Sequence, residues 1–219
     1  MQRIHAAARA ALSQIASTTN RHNLVELEMR LGHLKDQQFV AGISQESFQE
    51  LQRGFLQATD FRTYKSQHVE DFYYKDKQDV STRLSRWTKP DSKLMVQRLV
   101  KKNVFQETIK ICNCDFADAV RVSVSVETPA VDSDQPEYVI PTLVRHKFRH
   151  VYGLDHCQYE LTEIFAGTSK SQVDSMVLEK RGATYECEIE IKQSAYNAGT
   201  TAEGLADLMC KRILAFVKS

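Results

Sequence analysis

The sequence predicts a mainly β protein with flanking helices, built on an antiparallel sheet or barrel. Three observations predict it. Runs of strand length follow one another with only short turn-forming clusters between them. Within many of those runs polar and apolar residues alternate, as they do when a strand has two different faces. Helical periodicity is confined to the two ends of the chain and to one segment after the first strand.

Taken in order, residues 1–22 hold Arg3, Arg9 and Arg21, many Ala and Ser, and no acid. That composition resembles a mitochondrial import segment. A packed amphipathic helix is preferred over a flexible segment, because Ile4, Ala8, Leu12 and Ile15 form one stripe and a strand follows almost at once. The first strand is Val25-Glu26-Leu27-Glu28-Met29-Arg30-Leu31-Gly32, with a polar loop after it. Ser44 can cap a helix whose apolar face is Phe48, Leu51, Phe55 and Leu56. Strand runs then cover about 64–74, 80–87, 94–102, 105–112, 119–127, 143–152, 157–165 and 184–192. Turn clusters separate them at Lys89 through Ser92, Thr128 through Pro136, Gly153-Leu154-Asp155 and Gly167-Thr168-Ser169. Thr200 or Thr201 opens a last helix over 200–218, with Leu205, Leu208, Met209, Ile213 and Phe216 as its buried stripe. The 219 residues suit one domain, 1–219.

Composition excludes several classes. Lys+Arg (29) and Asp+Glu (28) nearly cancel, so any electrostatic function lies in local segregation of charge. No apolar run is long enough to span a bilayer. Cys112, Cys114, Cys157, Cys187 and Cys210 form no CxxC pair, which fits a reducing compartment. The histidines show no metal spacing; His146 and His150 belong to the face opposite the basic residues and are expected on the outer surface.

Two strands put glutamate on every second residue. Glu26, Glu28 and Arg30 share one face of the first; Glu186, Glu188 and Glu190 share one face of the last. Carboxylates in a row repel one another unless a cation neutralises them, so two rows suggest a divalent metal on oxygen ligands. Between them, Arg121, Ser123, Ser125 and Glu127 alternate with valines, and Arg145, Lys147 and Arg149 with Val144, His146 and Phe148. A single such face would ordinarily meet water. If the sheet closes, the charged faces point inward, and one lumen holds acids for a cation beside bases for an anion. A metal–triphosphate complex needs that combination.

These residues resemble the triphosphate tunnel metalloenzymes, and among them the fungal and protozoan RNA triphosphatases of mRNA capping. Glu26-Leu27-Glu28-Met29-Arg30-Leu31-Gly32 is similar to that family's first metal motif, and Glu186-Cys187-Glu188-Ile189-Glu190 to its last. Arg145-His146-Lys147-Phe148-Arg149 resembles its Arg-x-Lys-x-Arg strand. Gln158-Tyr159-Glu160-Leu161-Thr162 resembles the next, usually Arg-x-Asp-x-Thr, with Gln for Arg and Glu for Asp. Asp118 through Glu127 resembles a middle strand ending in an inward Glu. Small-molecule relatives usually carry Glu-x-Glu-x-Lys, whereas Arg30 and Gly32 stand here.

The resemblance implies a closed eight-stranded antiparallel barrel that hydrolyses the γ-phosphate of 5′-triphosphate RNA, leaving a 5′-diphosphate end. It implies Glu26, Glu28 and Glu190 as ligands of Mg²⁺ or Mn²⁺, and Glu188 as the group orienting the attacking water. Lys147 and Arg149, with Arg145, Arg83 or Arg86, and Lys101 or Lys102, would grip phosphate. Arg30, Arg121, Glu127, Gln158, Glu160 and Glu186 would support them. The metal count, one or two, stays open. Nucleoside triphosphates are further implied substrates, a separate guanylyltransferase chain an implied partner, and the nucleus the implied location, with mitochondrial import as the alternative. A tripolyphosphatase, a thiamine-triphosphatase-like or adenylyl-cyclase-like enzyme, and a non-catalytic phosphate-ligand module are the competing readings. Trp87 and Phe72-Tyr73-Tyr74 are either packing residues or platforms for RNA bases.

Overall fold

A computed structural model describes residues 2–18, 24–75, 81–89, 92–111, 114, 116–130, 140–192 and 201–214. The elements run α1 (Gln2–Thr18), β1 (Leu24–Lys35), β2 (Gln38–Ala41), α2 (Gln45–Gln57), β3 (Thr63–Lys75), β4 (Ser81–Thr88) and β5 (Leu94–Lys110). Then come β6 (Ala119–Pro129), β7 (Leu143–Gly153), β8 (Cys157–Gly167), α3 (Lys170–Glu179), β9 (Thr184–Ile191) and α4 (Ala202–Leu214). Eight strands pair in the order β1-β6-β5-β4-β3-β7-β8-β9, and β9 pairs back onto β1, closing an antiparallel barrel. The short β2 extends the wall as a hairpin on β1.

The barrel turns the ordinary partition of a sheet inside out. Its apolar faces look outward and are covered by helices, so the core lies between wall and helices. Leu27, Met29, Leu31, Val120, Val122, Val124 and Ile189 are fully buried there. Ala7, Ala8 and Ala11 bring α1 close to the same cluster, as do Leu205, Ala206 and Met209 of α4. Phe48 and Leu51 anchor α2 in it. A smaller cluster of Phe72, Leu84, Val144, Phe165 and Val173 seats α3. Each such side chain contributes roughly 1.5–3 kcal/mol by leaving water, and the polar faces are left to line the lumen.

Several expectations change. The segment after Gly32 is not a loop: β1 runs on to Lys35 and turns into β2 through Asp36 and Gln37, both with positive φ (49° and 64°). The two runs 94–102 and 105–112 form one strand, because the ladder with β6 slips between Asn103 and Phe105. That bulge inserts a residue and reverses the alternation, which hid the continuity in the sequence. Helix α3 was not anticipated; Ser169 caps it by accepting from Gln172 N–H at 3.3 Å, and Lys180 ends it in the left-handed conformation. Leu56 is exposed rather than packed. His146 is on the outer side of β7, as expected, yet buried there against α3. Ser44 caps α2 and Ile4, Ala8 and Ile15 are buried, as expected. Arg21, Cys112, the tip Pro90-Asp91, most of the 128–136 turn, Thr200, Phe216 and the side chain of Ile213 lie outside what is described.

Candidate active site

Closure of the barrel brings the two glutamate rows side by side. Across β1 and β9, Glu28 stands opposite Glu190 and Arg30 opposite Glu188. Across β9 and β8, Glu190, Glu188 and Glu186 face Gln158, Glu160 and Thr162. Thr162 in turn faces Arg149. On the other side of β1, Glu26 and Glu28 face Ser125 and Ser123. The inward side chains line one cavity of about 520 Å³. Among the described residues, seven carboxylates (Glu26, Glu28, Glu127, Glu160, Glu186, Glu188, Glu190) and seven cations (Arg30, Arg83, Lys101, Arg121, Arg145, Lys147, Arg149) border it.

The charges are paired in a defined way. Arg30 meets Glu188, with Glu28 at 3.4 Å and Glu186 at 3.7 Å. The Lys101 ammonium meets Glu26 and lies 3.7 Å from Glu28. Arg83 donates to Glu127 at 2.9 Å, Arg149 lies 2.9 Å from Glu160, and Lys147 lies 2.6 Å from Asp71. Ser123 donates to Glu28 at 3.1 Å. The Gln158 amide donates to both Glu160 (2.9 Å) and Glu190 (2.8 Å). Arg145 and Arg121 form no ion pair among the described residues; they lie over the rings of Tyr73 and Phe39, 5.5 and 4.7 Å from the centroids. Two guanidiniums are thus presented to the cavity on aromatic supports, without a direct carboxylate contact among the described residues.

This crowding splits the acids. Burial pushes the Glu188 carboxyl up, but Arg30, Arg149, Lys147 and Lys101 outweigh it and hold it down at about 2. Burial, with Glu160 and Glu26 adding, pushes Glu190 up to about 7. Glu28, Glu160 and Glu186 are also raised, each by burial first and by the charge of Glu188 besides. One carboxylate is firmly ionised, while burial keeps Glu28 and Glu190 raised in spite of the cations nearby.

The family described as "mRNA capping enzyme, beta chain" matches residues 37–207. The chain belongs to that family. The matched stretch holds the basic strand and the last glutamate row, while the first row lies just before it and joins through the β1–β9 register. The fold is similar to that of the S. pombe Pct1 RNA triphosphatase, with a TM-score of 0.71 at 18% identity over 100% of this chain and 94% of that one. It is also similar to the RNA triphosphatase domain of a trifunctional mimivirus mRNA capping enzyme, with a TM-score of 0.63 at 10% identity over 97% and 96%. No curated protein matches the chain at a significant level.

In this member of the capping beta-chain family, most of the anticipated residues converge on the cavity. Lys102 does not: it is exposed on the outer face opposite Val126, because Lys101 takes the inward place in the alternation. Arg83 is likewise inward, and Arg86 outward over the Phe72 ring at 5.1 Å. Gln158 acts at the edge of the cavity through its two acids. Asp71 was missed, although it is 2% exposed, opposite Arg145 in register, and bonded by Ser85 at 2.6 Å as well as by Lys147. Its inward parity with Tyr73 was a usable signal, masked by the neighbouring Glu70. Asn103 was also missed, being neutral; the sequence puts Ser123 on a polar face and Tyr73 in an aromatic run without giving either a role in the site. A separate group, Glu70, His146 and Asp174, has ligand atoms within 4.8 Å of one another on the outer face under α3. The Lys170 ammonium touches both of its acids, at 2.9 and 3.0 Å, and supplies the positive charge there. Among the described residues no helix is long and apolar enough to cross a membrane.

Proposed function

We propose that this capping beta-chain protein is an RNA 5′-triphosphatase: it hydrolyses the γ-phosphate of 5′-triphosphate RNA and leaves a 5′-diphosphate end. The observation that carries the reading is the shared cavity, in which two glutamate rows and the Arg145-Lys147-Arg149 face meet. The names of the S. pombe and mimivirus relatives agree with it. The cavity holds little apolar surface and balances charge of both signs, which suits a polyanion carried with a cation rather than a neutral substrate.

Glu26, Glu28 and Glu190 would hold a divalent ion, Mg²⁺ or Mn²⁺. Their oxygen donors fit a hard ion, and the raised Glu28 and Glu190 carboxyls mark a corner that positive charge would relieve. When bound, the ion would supply charge neutralisation at a γ-phosphate oxygen. Arg145, Lys147, Arg149 and Arg83 would bind phosphate oxygens and offset the charge that gathers in the transition state. Water forms the new O–P bond while the bridging bond to the β-phosphate breaks, the diphosphate end leaves with the bridging oxygen, and the proton of the water passes to the released phosphate. Glu188, ionised and nearly buried, would orient that water by accepting its hydrogen bond; at a pKa of about 2 it is a poor proton acceptor. Arg30 would fix the Glu188 carboxylate, and Glu186 would help to fix Arg30. Nucleoside-triphosphate cleavage with Mn²⁺, a separate guanylyltransferase chain as partner and a nuclear site of action belong to the same reading.

Phosphate release from 5′-triphosphate RNA, ATP and tripolyphosphate, each with Mg²⁺ and Mn²⁺, tests it. Release from RNA ends is expected. Cleavage of tripolyphosphate alone would move the protein to the small-molecule hydrolases of the same fold, and no release from folded protein would leave a binding module.

A further inference from the structure

A second cavity of about 220 Å³ adjoins the first. The two share Arg83, Lys147 and Arg149 in their walls, so both open onto the same three cations. Their electrostatics differ. The main cavity sets seven carboxylates against seven cations. Among the described residues the second sets three cations against one acid, Asp71, and Asp71 is already bonded by Lys147 and Ser85. A polyanionic chain attached to the triphosphate is repelled from the carboxylate-rich side and accepted on this one.

Trp87 stands at this second mouth. Arg83, Ser85 and Trp87 alternate along β4 on its inward face, and Trp87 is the last inward residue before the strand ends at Thr88. The ring is half-buried and also borders a groove on the outer surface, so it sits at the rim. Gln67 and Gln97 flank the mouth with side-chain amides able to donate and accept. An aromatic face beside neutral amides, at the edge of a phosphate-binding channel, has the make-up of a nucleobase subsite. Strand packing alone gives no reason for the amides beside these cations.

We propose that Trp87 stacks on the base of the first nucleotide of the RNA, so that the RNA body leaves the barrel by this mouth while the γ-phosphate lies toward the glutamates. The proposal rests on the RNA 5′-triphosphatase reading. Stacking tolerates any base, so the subsite would select RNA ends over inorganic polyphosphate without reading sequence.

Trp87 is the single tryptophan of the chain, so its emission reports this position alone. The protein with Mg²⁺ is titrated with an RNA trinucleotide bearing a 5′-β,γ-imidotriphosphate, and separately with tripolyphosphate, which has no base. The RNA analogue is expected to quench the emission at saturation, and tripolyphosphate to leave it nearly unchanged. Trp87→Ala should raise KM for triphosphate RNA about tenfold with kcat within about twofold, and Trp87→Phe should restore most of the difference. Equal quenching by both ligands, or an RNA KM indifferent to Trp87→Ala, would overturn the subsite. If Trp87→Ala does not fold, the native titration and Trp87→Leu against Trp87→Phe decide. Failure of the wild type to release phosphate from RNA would instead overturn the functional reading, so the two failures are distinguishable.

Discussion

Arg30 of β1 and Glu188 of β9 are directly opposite in the ladder that closes the barrel, and their side chains form an ion pair inside it. Burial alone would raise the carboxyl; the surrounding cations hold it at about 2. The folded pKa lies below the unfolded value of about 4.3, so this stabilisation is present above that value and is lost as pH falls toward 2. Arg30→Ala leaves Glu28, Glu186 and Glu188 facing one another. It should cost roughly 3–5 kcal/mol at pH 7 and flatten the loss of stability below pH 4. Denaturant unfolding at pH 7 and pH 3 checks this; identical pH slopes in mutant and wild type would refute it.

Glu190 behaves in the opposite sense. Its folded pKa of about 7 lies above the unfolded value, so its contribution is present below the unfolded pKa and lost as pH rises through 7. In metal-free protein Glu190→Gln should raise the melting temperature at pH 8 and leave it unchanged near pH 4. Binding of Mg²⁺ or Mn²⁺ to the wild type should strengthen with pH through about 7 and release protons, which calorimetry in two buffers measures. Glu28→Ala and Glu190→Ala should both abolish phosphate release with near-normal unfolding.

Adjacent lysines should differ sharply. Lys101→Ala removes the cation on Glu26 and should lower kcat/KM by about a hundredfold, whereas Lys102→Ala, on the exposed face, should stay within about twofold. Equal effects would refute the assignment of Lys101 alone to the cavity.

Asp71 ties Lys147 and Ser85 together beneath the basic strand. Asp71→Ala leaves a nearly buried ammonium without its partner. The expected cost is roughly 3–5 kcal/mol, read by thermal or denaturant unfolding.

Gly32 closes the opposite end of the glutamate strand. A Cβ there would meet the Val40 carbonyl and approach the Phe39 ring to 2.6 Å, and that ring supports Arg121. Gly32→Ala should therefore destabilise by roughly 1–3 kcal/mol and, by moving the ring under Arg121, raise KM through a supporting cation of the cavity. Unfolding and KM measured together separate the two effects.

Strand periodicity is local and strong, so Glu26-x-Glu28-x-Arg30 and Glu186-x-Glu188-x-Glu190 declare their shared faces, and with them an acidic site, in the sequence itself. The basic strand at Arg145–Arg149 was legible for the same reason. Helix α3 was not, because its apolar periodicity is weak and a single side chain, Val173, is fully buried. The Lys101/Lys102 choice was illegible because the bulge just after them breaks the alternation that would relate them to residues 105–110, and the partner strand that defines a bulge lies elsewhere in the chain. By itself, then, the sequence determined which residue types share a face: carboxylates on two strands, guanidiniums and an ammonium on a third. The tertiary structure decided which charges meet: Arg30 with Glu188, Lys101 with Glu26, Lys147 with Asp71. Pairing of that kind depends on register between strands distant in the chain and on closure of β9 against β1, and neither is encoded in local alternation.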